Sequence, residues 1–190
     1  MDVKRFIEKV NGADWQRFDD AEYFRFKSDD INSFAQTVPL ALIALALADK
    51  ESNEQINMES LKKQGISRTD FIANYLIGSC IMFAIGNDHR GTYYPVVREA
   101  LPFIIEVALY GNHVVARACA IDTLIDLYCF EPEVYGMDSK DDLDELSRFV
   151  RKSISDVVSA QRNSFMQFAI DDKRNKMLIE QLFSYCDKEG

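Results

Sequence analysis

GNDHRGTYYPVVREALPFIIEVALYGNHVVARACAIDTLIDLYCFE, residues 86–131, is the stretch whose reading decides the fold. It opens on a tight polar turn. Pro95 stands where a first helical turn begins, where its missing N–H costs nothing and its fixed φ suits the helix. Val96, Val97, Ala100, Leu101, Ile104, Ile105, Ala108 and Leu109 follow at spacings of three and four, a helical period with one broad apolar face. Pro102 lies inside this run and is expected to bend the helix without ending it, because the pattern continues in phase. Gly111 is expected to close the helix at φ > 0, and Asn112 to cap the next one. Val114, Val115, Ala118, Cys119, Ile121, Leu124, Ile125 and Tyr128 carry the second helix as far as Phe130, before Glu131-Pro132 stops it. So short a corner makes the two helices antiparallel neighbours. Neither can bury so wide an apolar face on the other alone, so further helices must stack on the pair, as in a helical repeat protein.

Working outward, the flanking segments supply those helices. Residues 1–10 suggest a short helical turn. Residues 14–27 scatter Trp15, Phe18, Tyr23, Phe24 and Phe26 among charges, with neither helical nor strand spacing, and are expected to form an irregular N-terminal cap. Ser28 or Asp29 can start a helix from about Asp30 to Ala48, bent or split at Pro39. The run Val38–Ala48 is apolar all round, so this helix is deeply covered. Residues 49–66 are polar and predict a loop with a helical turn near Met58 to Lys63. Ser67 with Asp70 begins a helix that ends near Ile85. Beyond an acidic loop at 131–138, Ser139 and Asp142 start a helix with Leu143, Leu146, Val150, Ile154 and Val157 along one face, which can extend past Ala160 to Phe168 and Ala169. Asp171-Asp172 opens a last helix with Met177, Leu178, Leu182 and Tyr185 facing inward. No segment alternates convincingly as a strand. The expected architecture is an all-α domain over 1–190, of about three antiparallel helix pairs.

At 190 residues, 47% apolar, such a chain can bury roughly 70% of its unfolded surface in one domain. The longest apolar run, Val38–Ala48, is too short to span a bilayer. The start MDVKRFIEKVNGADW holds no apolar run and no small-residue cleavage site, so no secretory leader is expected and the cytoplasm is the expected compartment. Cys80, Cys119, Cys129 and Cys186 show no C-x-x-C spacing, which argues against zinc; in a reducing compartment free thiols are expected. With only His89 and His113 in the chain, no acid–base or metal site takes shape, and His89 is expected to satisfy backbone groups of its turn. No phosphate loop or nucleophile elbow occurs. No catalytic residue, metal or cofactor is expected.

The net charge of −9 is segregated. Residues 131–147 hold seven acids (Glu131, Glu133, Asp138, Asp141, Asp142, Asp144, Glu145) against Lys140, a net of −6. Residues 11–30 hold six acids against three bases, a net of −3, so the remainder is balanced. Nucleic acid and anionic membranes need a basic footprint and are disfavoured as partners. A basic protein partner fits, as does the plainer view that these acids serve solubility and helix N-termini.

The turn His89, Gly91, Thr92, Tyr94, Pro95, with Pro102 in mid-helix and Leu124 to Leu127 closing the second helix, resembles the repeat-pair junction of bacterial HEAT-like repeat immunity proteins of polymorphic toxin systems, including contact-dependent growth inhibition. Trp15, Tyr23 and the acidic helix start at Ser28–Asp30 match the general layout, so the likeness spans residues 14–130. The resemblance implies a HEAT-like α-solenoid with an irregular N-terminal cap. It also implies a non-enzymatic function, neutralisation of a cognate toxin domain, often a nuclease, by occluding its active or nucleic-acid-binding face. A basic toxin face gives the segregated acids a purpose. The expected contact residues are Asp138, Asp141, Asp142, Asp144 and Glu145, then Asp19, Asp20 and Glu22, with Tyr93 either packed against the neighbouring repeat or anchoring the partner. The alternative is a HEAT-like adaptor or regulatory scaffold with a different protein partner.

Overall fold

The computed structural model describes residues 1–19, 33–49, 58–63, 77–133, 139–170 and 173–188. These residues are mostly helical, so the chain is all-α in class. The helix starts expected at Ser28–Asp30, Ser67–Asp70 and Asp171–Asp172 lie outside the described residues, as do Tyr23, Phe24 and Phe26.

α1 (Val3–Gly12) begins at Asp2, whose carboxylate accepts the Arg5 N–H at 3.1 Å. It buries Phe6 and Val10. α2 (Gln16–Asp19) is a single turn that buries Phe18. Trp15 donates its indole N–H to the Val10 carbonyl at 2.7 Å, and both Trp15 and Phe6 pack on the ring of Phe103. α3 (Phe34–Ala46) starts at Ser33, whose hydroxyl accepts the Gln36 N–H, and runs through Pro39 as one helix. Val38 and the unbroken run Ala41–Ala46 are buried, and such complete coverage outweighs a single missing backbone hydrogen bond. α4 (Met58–Lys63) falls on the expected helical turn, and α5 (Ile77–Ile85) packs along α3.

α6 (Val97–Tyr110) and α7 (Val114–Cys129) form the expected pair, with Pro102 exposed inside α6. Two details of the corner differ from expectation. Gly111 has φ −51°, not a positive value; glycine is needed because a Cβ would stand 2.7 Å from the Val107 carbonyl oxygen, whose bond from the Gly111 N–H closes α6. The cap of α7 is His113, not Asn112: its Nδ1 accepts the Val115 N–H at 3.2 Å. Arg117 reaches back across the corner, donates to the Ala108 carbonyl of α6 at 3.0 Å and lays its guanidinium over the Phe168 ring.

A feature absent from the sequence expectation is a small sheet. β1 (Gly86–Asn87) pairs antiparallel with β2 (Thr92–Tyr93) around a 3₁₀ turn at Asp88–Arg90, and β2 pairs parallel with β3 (Glu131–Pro132), in register Thr92↔Glu131 and Tyr93↔Pro132. Two-residue strands leave no alternation to read. Pro132 sits on the edge strand, where a missing donor is tolerated. Gly91 turns the chain at φ +64°, and Gly86 lets the strands close, since a Cβ there would lie 2.2 Å from the Thr92 carbonyl oxygen.

α8 (Lys140–Ala160), α9 (Arg162–Ala169) and α10 (Lys173–Cys186) complete the described chain. Gln161 interrupts what could have been one helix. α8 turns Leu146, Val150, Ile154 and Val158 inward, with Val157 only partly covered. On α10 the inward face is Asn175, Ile179, Leu182 and Cys186; Met177, expected inside, is exposed. α7 lies at the centre, packed against α3, α5, α6, α8 and α10.

The close approach at Gly86 sets a stability test. Gly86→Ala must push β1 from β2 and is expected to cost about 1–3 kcal/mol in urea unfolding. Gly12→Ala, with nothing within 4 Å of the new methyl group, is expected to be neutral or stabilising by up to about 1 kcal/mol.

Candidate partner-binding surface

The first turns of α8 gather four of the expected contact residues. Ser139 caps the helix: its hydroxyl accepts the Asp142 N–H at 3.2 Å and donates to Asp142 Oδ2 at 2.8 Å. This reciprocal pair commits Asp142 to the cap. Glu145 pairs with Arg98 of α6 at 2.9 Å, and the Arg98 guanidinium lies over the Phe149 ring, so this acid ties α8 to α6. Asp141 and Asp144 are exposed, three residues apart, and their carboxylates make no ion pair among the described residues. Asp141 and Asp142 also complement the N-terminal end of the helix dipole.

The neighbouring acids are spent inside the fold. Glu131 pairs with Arg151 at 2.7 Å, while Arg151 also donates to the Tyr128 carbonyl. Glu133 is buried and accepts from the Thr92 hydroxyl at 2.8 Å. The net of −6 counted over 131–147 therefore overstates the charge offered to a partner. Asp138 lies outside the described residues, as do Asp20 and Glu22.

Asp19 stands apart from that group. Its two carboxylate oxygens accept the N–H groups of Phe34 and Ala35 at 2.5 and 3.1 Å, which satisfies two orphan donors in the first turn of α3. This bond spans 15 residues, and no local spacing announces it. Of the two roles expected of Tyr93, its burial fits packing and not contact with a partner: it is 0% exposed in β2. Its buried hydroxyl meets no hydrogen-bond partner of good geometry among the described residues, and the Ser147 hydroxyl beside it turns to Glu131 Oε2 at 3.5 Å. Burial pushes the Tyr93 phenol up to about 12, partly opposed by Ser147 and Arg151. Burial likewise pushes the Cys80 thiol up to about 12.

The backbone-satisfying role expected of His89 is filled by His113. His89 is exposed and meets the Phe83 ring edge-on at 5.0 Å, and Asn87 Oδ1 takes the turn's Arg90 N–H. His113 serves the backbone instead, as the α7 cap. Among the described residues no three His, Cys, Asp or Glu side chains are grouped to hold a metal ion, and no helix is long and apolar enough to cross a membrane. Comparison of the chain with protein-family models, with curated proteins and with solved structures finds no match.

Two outcomes follow from these placements. Asp19→Ala leaves two α3 donors without their acceptor and is expected to lower stability by about 1–2 kcal/mol, whereas Asp141→Ala stays within about 0.5 kcal/mol; urea unfolding distinguishes them. Alkali gives the second test. The unfolded chain ionises its thiol near 9 and its phenol near 10, while the folded chain holds Cys80 and Tyr93 protonated to about 12. The stability tied to these groups is complete below pH 9 and is lost as pH rises through 9 to 12. Combining Cys80→Ala with Tyr93→Phe is expected to flatten that loss in unfolding curves taken across the window.

Proposed function

We propose that the chain is a HEAT-like helical repeat protein that binds a basic protein partner through the start of α8, and that the partner is a toxin domain which it neutralises. The observation that carries this reading is the pair Asp141 and Asp144, solvent-exposed on consecutive turns and without ion partners among the described residues, beside acids that the fold itself uses. Carboxylates held on the rigid first turns of a long, packed helix present charge at little entropic cost. They steer a basic surface into contact. A nuclease domain offers such a surface because it must hold phosphates, and covering that surface excludes nucleic acid. The α6–α7 pair, flanked by α3 and α5 and by α8 and α10, supports the stacked-pair architecture. The junction from His89 to Pro95 supports the likeness to immunity proteins.

Co-expression with the toxin domain encoded directly upstream is the test. A tight, salt-sensitive complex that abolishes toxin activity is expected. Asp141→Lys with Asp144→Lys should weaken that complex at least about tenfold, mainly through slower association, and remove much of its salt dependence. Absence of a complex at low salt, or one indifferent to this reversal, would sink the reading.

A further inference from the structure

Three of the five large apolar side chains exposed among the described residues are Met166 on α9, Ile170 at its C-terminal cap and Met177 on α10, at 52%, 66% and 60% exposure. Between the two helices runs an open groove of about 550 Å³, whose apolar lining is Met166, Ala169, Ile170, Ile179 and Phe183. A terminal helix pair of a monomeric stack ordinarily carries a polar outer face, so an apolar one asks for a cover.

The charges around the groove identify the cover. Arg162 is held by Asp187 through two bonds of 2.8 and 2.9 Å and lies over the Phe183 ring, and Lys176 sits 3.7 Å from Glu180 one turn on. Cations so occupied are poor ligands for an anion, and the rim is equally unsuited to a basic partner. The charges that line the groove are met in pairs, Arg162 with Asp187 and Lys176 with Glu180, so two copies repel one another over their acidic surfaces but not here. Lys176 and Glu180 also make the surface self-complementary. A twofold axis crossing α10 between them sets each Lys176 against the Glu180 of the other copy, and Met166 and Ile170 of each against the other's groove.

We infer that this groove is where a second copy of the chain docks, forming an isologous dimer through antiparallel α10 helices. The α8 acids stay outside it. Eighteen residues separate Asp144 from Arg162, roughly 27 Å of helix at 1.5 Å per residue. The dimer therefore stands or falls separately from the partner reading above.

Sedimentation equilibrium of the full chain is the experiment, with far-UV circular dichroism to confirm that each variant is folded. A species of twice 21.8 kDa is expected. Met166→Glu with Ile170→Glu, both at exposed positions, should give the monomer. Lys176→Glu alone should raise the dimer dissociation constant roughly tenfold, because the changed residue is met twice across the axis. Adding Glu180→Lys to it should restore the dimer. A wild-type mass of 21.8 kDa at every concentration, or a dimer that survives Met166→Glu with Ile170→Glu, overturns the inference and leaves the groove to another protein. A dimer lost with that pair but indifferent to Lys176→Glu overturns the antiparallel arrangement.

Discussion

Burial of α7 on several sides is the constraint on which the structure depends. Ala116, Ala120, Ile121, Leu124, Ile125, Leu127 and Tyr128 are all covered, and they occupy more than one side of the helix. A helix apolar on several sides gains stability only when it is surrounded. Five other helices supply that cover. Small residues at Ala116 and Ala120 let neighbours come close, and the buried hydroxyls of Thr123 and Tyr128 donate to the Cys119 carbonyl at 2.9 Å and the Tyr185 carbonyl at 3.4 Å. The centre thus carries no unmet polar demand along that helix.

Polar groups set how the outer helices lie on this centre. Arg151 bridges the end of α7 to β3 through Tyr128 and Glu131. Arg98 joins α6 to α8 through Glu145, and Arg117 joins the α6–α7 corner to Phe168 of α9. Arg17 pairs with Glu99, and Lys9 with Glu106, so the first helices are fastened along α6 as well. Partly exposed pairs of this kind contribute little energy each. Their value is in direction: they select one angle of docking among the several that apolar contact alone would accept.

Periodicity made most of this legible. The α6–α7 pair, the deeply covered α3 and the capped start of α8 all follow from spacing and cap residues in the chain. What escaped depends on contacts between distant positions. Asp19 serves α3 across a segment whose length gives no register. For Tyr93 the flanking residues left packing and partner contact both open, and only its burial in β2 decides between them. On α10 Met177 and Ile179 are equally apolar, and only the neighbours decide that Ile179 turns inward. Gly111 closes α6 as its position suggests, but at φ −51°, because a carbonyl in contact and a positive φ leave the same letter in the sequence. For the candidate surface, composition exposed the acidic block; it could not separate Asp142 and Glu145, which the fold employs, from Asp141 and Asp144, which face water.

The register of β2 with β3 has a topological consequence. Thr92 and Glu131 bracket the whole α6–α7 hairpin, and their pairing closes it into a loop, with Glu131 N–H to Gly91 and Glu133 N–H to Tyr93 as the seal. Once that seal forms, neither helix can unwind from its outer end without breaking it, and both must open together. The hairpin behaves as a single cooperative unit whose amide protons exchange as a group, and the chain entropy lost in closing the loop has already been spent when the remaining helices arrive.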